Sequence, residues 1–137
     1  MAAPLQRAVY DALINDTALQ AIIGDNVFDA PLPVDGSTSP QDYVTIGSEV
    51  VSNRATKSED GAVHDFTVVV HSNAAGFTRS KQAAGAICDV LLDAQLTLTR
   101  GTLVYLRFLK ARADAGTTPA RRTISLRFRA FVEDATI

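Results

Sequence analysis

A chain of 137 residues, 47% hydrophobic and 20% charged, has the size and composition of one ordinary folded domain rather than of a disordered tail. Its net charge of -2 at pH 7 excludes the general basic excess of a protein whose main task is to wrap duplex DNA, because phosphate neutralisation dominates that affinity. The lone cysteine, Cys88, excludes an intrachain disulfide and a cysteine-rich zinc site.

The first residues, Met1 to Arg7, lack the apolar run of a signal peptide, and no stretch approaches the ~18 apolar residues of a membrane span. The expected compartment is the cytoplasm. Pro4 suits a first helical turn, and Leu5, Ala8, Val9, Ala12 and Leu13 recur at helical spacing, which predicts a helix over about 3–15. Asp16 is placed to cap a second short helix through Leu19, Ile22 and Ile23, with Gly24 ending it. A short strand is expected around Val27 and Phe28. From Ala30 to Asp42 the chain carries Pro31, Pro33, Gly36 and Pro40 and reads as a loop.

Tyr43 to Val51 alternates as a strand, with Val44 and Ile46 on one face and Tyr43 and Thr45 on the other. The polar run 52–61 (SNRATKSEDG) lacks apolar periodicity, and Val63 to His71 follows as a second strand, with Phe66, Val68 and Val70 on one side. Together they predict an extended hairpin. After turn residues at 72–76, Ala83, Ala86, Ile87, Val90, Leu91 and Ala94 mark an amphipathic helix. Leu103 to Leu109 reads as a strand facing inward through Val104, Leu106 and Phe108. The last strand, Thr123 to Val132, turns Ile124, Leu126, Phe128, Ala130 and Val132 inward and Arg127 and Arg129 outward. The fold class is α+β: an antiparallel β-sheet of about four strands with helices packed on one face, in the order α-α-β-β-α-β-β, with Val27 as an added short strand. The whole of 1–137 is expected to be one domain.

Chemistry finds few footholds. His64 and His71 share a strand at an odd separation, which puts them on opposite faces, away from any common metal or substrate. Cys88 lies at the edge of an apolar stripe with no histidine on its helix, so it reads as a packed small residue rather than a nucleophile. There is no GxxxxGK and no GxGxxG. No catalytic residue, cofactor site or metal site is expected. The outward Arg107, Arg127 and Arg129 form a basic stripe if the last two strands pair. That stripe serves either ordinary cross-strand pairing with acids such as Glu49 or Asp65, or contact with an acidic neighbour or passing DNA. The loop residues Arg54, Lys57, Glu59 and Asp60 carry both signs of charge without a core pattern, and with the stripe they are the candidate subunit or partner interface.

Several segments, in order, resemble a family of phage and prophage tail-completion (tail-terminator) proteins. Asp16, Leu19, Ile22, Gly24, Val27, Phe28, Asp29 and Pro31 match its opening: an acidic break, a Leu-x-x-Ile-x-Gly step and a Val-aromatic-Asp strand before proline. Pro40 to Gly47 is similar to its Pro-Tyr-Val-x-Ile-Gly strand entry, with Gln41 and Asp42 inserted. His64 to Gly76 resembles its most recognisable stretch, except that His71 stands where members often have Trp. Leu103 to Arg112 and Arg121 to Val132 fit its closing pattern.

The resemblance implies a non-enzymatic structural protein that stacks as a ring, generally six-fold, on the head-proximal end of a long tail. It would stop growth of the tail tube and join tail to head. The implied partners are further copies of the chain, the tail tube protein and a head-completion (stopper) protein, with DNA passing through the ring without specific binding and no membrane involved. Assembly would take place in the host cytoplasm, after which the chain is part of the particle tail. Gene transfer agents contain similar proteins. The alternatives are another head-tail connector or minor tail subunit, or a small ligand-binding or enzymatic α+β domain.

Overall fold

The computed structural model describes residues 3–24, 26–28, 42–53, 61–72, 78–93, 96, 98, 102–115 and 122–133. Of the predicted loop 30–42 and polar run 52–61, residues 30–41 and 54–60, and with them Arg54, Lys57, Glu59 and Asp60, lie outside the described residues.

Two helices open the chain, α1 (Ala3–Ile14) and α2 (Thr17–Ile23). The Asp16 carboxylate accepts from Leu19 N at 2.9 Å and so satisfies an amide that the first turn of α2 leaves without a helical partner. Gly24 closes α2 at φ 66°, a backbone region that side chains with a Cβ rarely enter. Then follow β1 (Val27–Phe28), β2 (Asp42–Asn53), β3 (Gly61–Ser72), α3 (Thr78–Asp93), β4 (Thr102–Ala115) and β5 (Arg122–Glu133). The predicted element order is found, and the short Val27–Phe28 strand makes the sheet five-stranded, in the order β1-β2-β3-β5-β4. β1 runs parallel to β2, and every other pairing is antiparallel.

The helices cover one face of this sheet. Leu5, Val9 and Leu13 of α1, Leu19 and Ile23 of α2, and Ala83, Ile87 and Leu91 of α3 meet Val44, Ile46, Phe66, Val68, Val70 and the inward row of β5 in one buried cluster. Removing each large side chain here from water stabilises the fold by roughly 1.5–3 kcal/mol. Phe66 and Phe128 sit opposite each other in register, with ring centroids 5.6 Å apart and no exposure.

Two bulges in β4 correct the predicted inward row Val104, Leu106, Phe108. The register with β5 slips between Leu103 and Tyr105 and again between Phe108 and Lys110. The extra residue at each slip, Val104 or Leu109, has no partner across the ladder. Leu103 and Leu106 pack on the core, whereas Val104 is 52% exposed. Phe108 was expected to be core. It touches Phe128 edge-on at 5.9 Å yet remains 41% exposed.

The physical reason lies in the cover. β4 is the outermost described strand on its side of the sheet, and α3 is the helix that packs against it. Beyond Leu106 the inward residues Phe108, Ala111 and Ala113 are exposed, although their β5 partners Phe128, Leu126 and Ile124 are buried.

Candidate interaction surface

Pairing places the outward residues of the last three strands in rows. Asp65, Arg129 and Arg107 lie side by side, and next to them Thr67, Arg127 and Lys110. Ser125 and Arg112 continue the pattern. The sequence stripe Arg107, Arg127, Arg129 is thus brought together, and Lys110 and Arg112 extend it. A strand read only as far as Leu109 missed those two. The alternating Lys110-Ala111-Arg112-Ala113 was the signal that could have found them.

One of these cations is neutralised where it stands. Arg129 donates to Asp65 through Nε at 2.7 Å and Nη2 at 3.0 Å, a two-pronged contact that fixes both side chains. The hydrogen bonds from Arg129, helped by the charges of Arg129 and Arg127, hold the Asp65 carboxyl below its ordinary value against the opposing effect of burial. Arg112, an exposed side chain, pairs with Asp114 at 3.1 Å. Arg107 lies over the Tyr105 ring at 4.3 Å, and Tyr105 packs on Phe131. Arg107, Lys110 and Arg127 form no ion pair among the described residues.

Arg107 stands directly across from Arg129, and Lys110 across from Arg127. Like charges set opposite one another in a sheet cost stability; Asp65 offsets this at Arg129, whereas Lys110 and Arg127 face each other with no ion pair to either among the described residues. In a chain of net charge -2, they concentrate positive charge on one patch of the outer face.

Asp65 pairs across the strands with the arginine stripe, whereas Glu49 lies on the other face of the sheet. A bulge between Gly47 and Glu49 shifts the register of β2, so that Glu49 turns to the helix-covered face, away from the arginines. There its Oε2 lies 3.3 Å from Nδ1 of the fully buried His64. The two groups are within hydrogen-bonding distance, and the tautomer of the ring sets which of its nitrogens carries the proton. His64 Nε2 has no hydrogen-bond partner among the described residues. Burial pushes the His64 imidazole down from its ordinary value, favouring the neutral ring.

His71 lies on the other face, as expected. It stacks on Tyr43 at 4.4 Å, Nε2 meets Thr45 Oγ1 at 3.0 Å, and Phe28 adds an edge contact to Tyr43. Cys88 packs against the core, and burial, with the charge of Asp89, pushes its thiol up and away from the reactive thiolate. No cluster of metal-ligating side chains occurs among the described residues, and no described helix is long and apolar enough to cross a membrane.

A second polar feature escaped the sequence reading, which placed Asp42 in a loop. Asp42 opens β2, is 7% exposed, and accepts from Ser72 Oγ and from Arg79 Nε. Arg79 Nη2 also donates to Ile22 O at 2.7 Å, a carbonyl in the last turn of α2. These contacts join positions 22, 42, 72 and 79, and such distant pairings leave no periodic trace in a sequence.

The surface is a long sheet with one charged face and apolar edge positions, which fits contact with another macromolecule. A profile of the tail completion protein gp17 family matches residues 7–133. The chain belongs to that family. No curated protein matches it. Among solved structures, a chain of the structure titled "Virion of native gene transfer agent (GTA) particle" superposes with a TM-score of 0.85. It is 45% identical and the match covers 96% of each chain. The tail completion family is one of virion structural proteins, and this member is accordingly a structural protein of a phage-like tail.

Proposed function

We propose that this tail completion protein forms a ring, six-fold in keeping with the family resemblance, on the head-proximal end of a phage-like tail. There it ends polymerisation of the tail tube and offers a surface to the head-completion protein. The observation that carries this reading is the match to the tail completion family over residues 7–133. Likeness to a chain of a gene transfer agent particle supports it. In this reading the chain is not a catalyst, and DNA passes through the ring without sequence-specific contacts.

The basic face supplies the axial or lateral contact. Arg107, Arg127 and Arg129, with Lys110, meet an acidic surface of a neighbouring particle protein, and the hairpin residues Arg54, Lys57, Glu59 and Asp60 share in docking. Charge of one sign on a rigid sheet favours orientation and partner choice more than raw affinity.

Electron microscopy of particles from a strain lacking the gene tests the function. DNA-filled heads beside unattached tails of irregular or excessive length are the expected result. Heads without tails would indicate a tube or initiation role, and normal infectious particles would overturn the structural reading.

A further inference from the structure

The two edges of the sheet are unlike each other, and both are apolar. Among the described residues β4 is one edge, paired with β5 on its one side. At the other, β1 is two residues long and pairs with Val44 and Thr45 alone, so Ile46–Asn53 of β2 have a sheet partner on one side only among the described residues. Among the described residues, the exposed large hydrophobics are Val50 (55%), Leu92 (44%), Val104 (52%), Phe108 (41%) and Leu109 (39%). All but Leu92 lie on these two edges. A solvent-facing edge with bare apolar residues is a template for association unless something covers it.

We propose that the β4 edge of one copy docks on the β2 edge of a second copy, with the bulge residues Val104 and Leu109 set against Val50 and its neighbours. This assignment rests on the ring reading and deepens it by naming the two surfaces that meet. The contact runs through side chains more than through an unbroken backbone ladder. The bulges at Val104 and Leu109, together with Lys110, are features that prevent continuous pairing along an edge.

Charge selects this pairing over the symmetric one. A two-fold β4–β4 contact centred between Phe108 and Leu109 would set Arg107 of each copy opposite Lys110 of the other. Like charges directly opposite are unfavourable, and the arrangement would repeat them on both sides of the axis. The β2 stretch 46–53 holds no cation, and its one acid, Glu49, is engaged with His64. A two-fold β2–β2 contact would leave the apolar positions of β4 uncovered. Two different patches on opposite edges make a head-to-tail contact, the kind that closes into a ring when the rotation permits.

Disulfide trapping in purified particles tests the assignment. In a Cys88→Ala background, Val50→Cys and Leu109→Cys are introduced together and singly, at exposed positions where the fold tolerates them. Oxidation should give a ladder of covalent multimers from the double variant and monomers from each single variant. Dimers from Leu109→Cys alone would overturn the proposal in favour of a two-fold β4 contact. If the double variant gives only monomers in particles with tails of normal length, the edge assignment falls while the ring reading stands. If the chain is absent from the head-proximal end of the tail by immunogold labelling, both fall. A charge test adds a second readout. Val50→Arg should lower incorporation into particles roughly tenfold relative to Val50→Glu, because only the former faces the cations of β4 with a like charge. Equal incorporation of the two would overturn the proposal.

Discussion

β4 and β5 are the two arms of one hairpin, similar in length and in their mixture of leucine, phenylalanine and arginine, yet they meet opposite fates. β5 has strands on both sides and helices above it, and its burial alternates from Ile124 to Val132. β4 has, among the described residues, one strand beside it, two bulges, and buried or half-buried inward residues only on its first half. The difference teaches that an alternating pattern fixes which face a residue takes. Whether that face becomes core depends on what lies over it.

The comparison breaks most readily at its two phenylalanines. Phe128→Ala should cost about 3–5 kcal/mol in denaturant unfolding of the subunit, because the site is closed on every side. Phe108→Ala should cost roughly 1–2 kcal/mol, since one face of the ring already meets water. Equal losses would show that β4 is as much core as β5.

A smaller effect is expected where β5 presses on β3. A Cβ added at Gly61 would come within 2.9 Å of the far end of the half-buried Phe131 ring, so Gly61→Ala should destabilise by about 1 kcal/mol, the low end of overpacking. No loss would mean that Phe131 moves aside as freely as a β4 residue would.

Proton linkage sharpens the contrast between the two sheet faces. The folded pKa of His64 lies below the ordinary 6.5, so its contribution to stability is complete above that value. It declines as pH falls below 6.5, because the unfolded chain takes up the proton first. Unfolding midpoints of the wild-type subunit should therefore drop between pH 7.5 and 5.5, and His64→Gln should flatten that slope. On the outer face, Asp65 has a lowered folded pKa, and its contribution is present above the ordinary 3.8 and lost as pH falls through the folded value. Asp65→Asn should abolish that acid-side dependence while changing stability at pH 7 only modestly.

The smallest stability effect is expected at the unpaired cations. Lys110→Ala and Arg127→Ala should leave stability within about 0.5 kcal/mol, or raise it slightly by relieving like-charge contact. Counts of tailed particles should nevertheless fall. Unchanged counts would remove the basic face from the assembly surface.

How much of this the sequence revealed follows the same division. β5, the inward row of β3, the Asp16 cap and the turn at Gly24 were legible because each is set by local spacing or local backbone geometry. The bulges of β2 and β4 were not, since a one-residue slip is decided by the partner strand rather than by the strand itself. That slip moved Glu49 to the covered face and took Val104 out of the inward row. Of the candidate site, the arginine stripe was readable from alternation, and its union with Lys110 and Arg112 required the full length of β4. The loop candidates Arg54, Lys57, Glu59 and Asp60 lie outside the described residues.

The contacts of Arg79 have a kinetic consequence. Because one guanidinium holds the end of α2, the start of β2 and the start of α3, these segments cannot fray one at a time without breaking a buried polar contact at Asp42. Local opening at this end of the molecule should be a single cooperative event. In native-state hydrogen exchange, amides of α2 and of the first residues of β2 should exchange with one shared free energy. Arg79→Leu should split that unit into separately opening pieces.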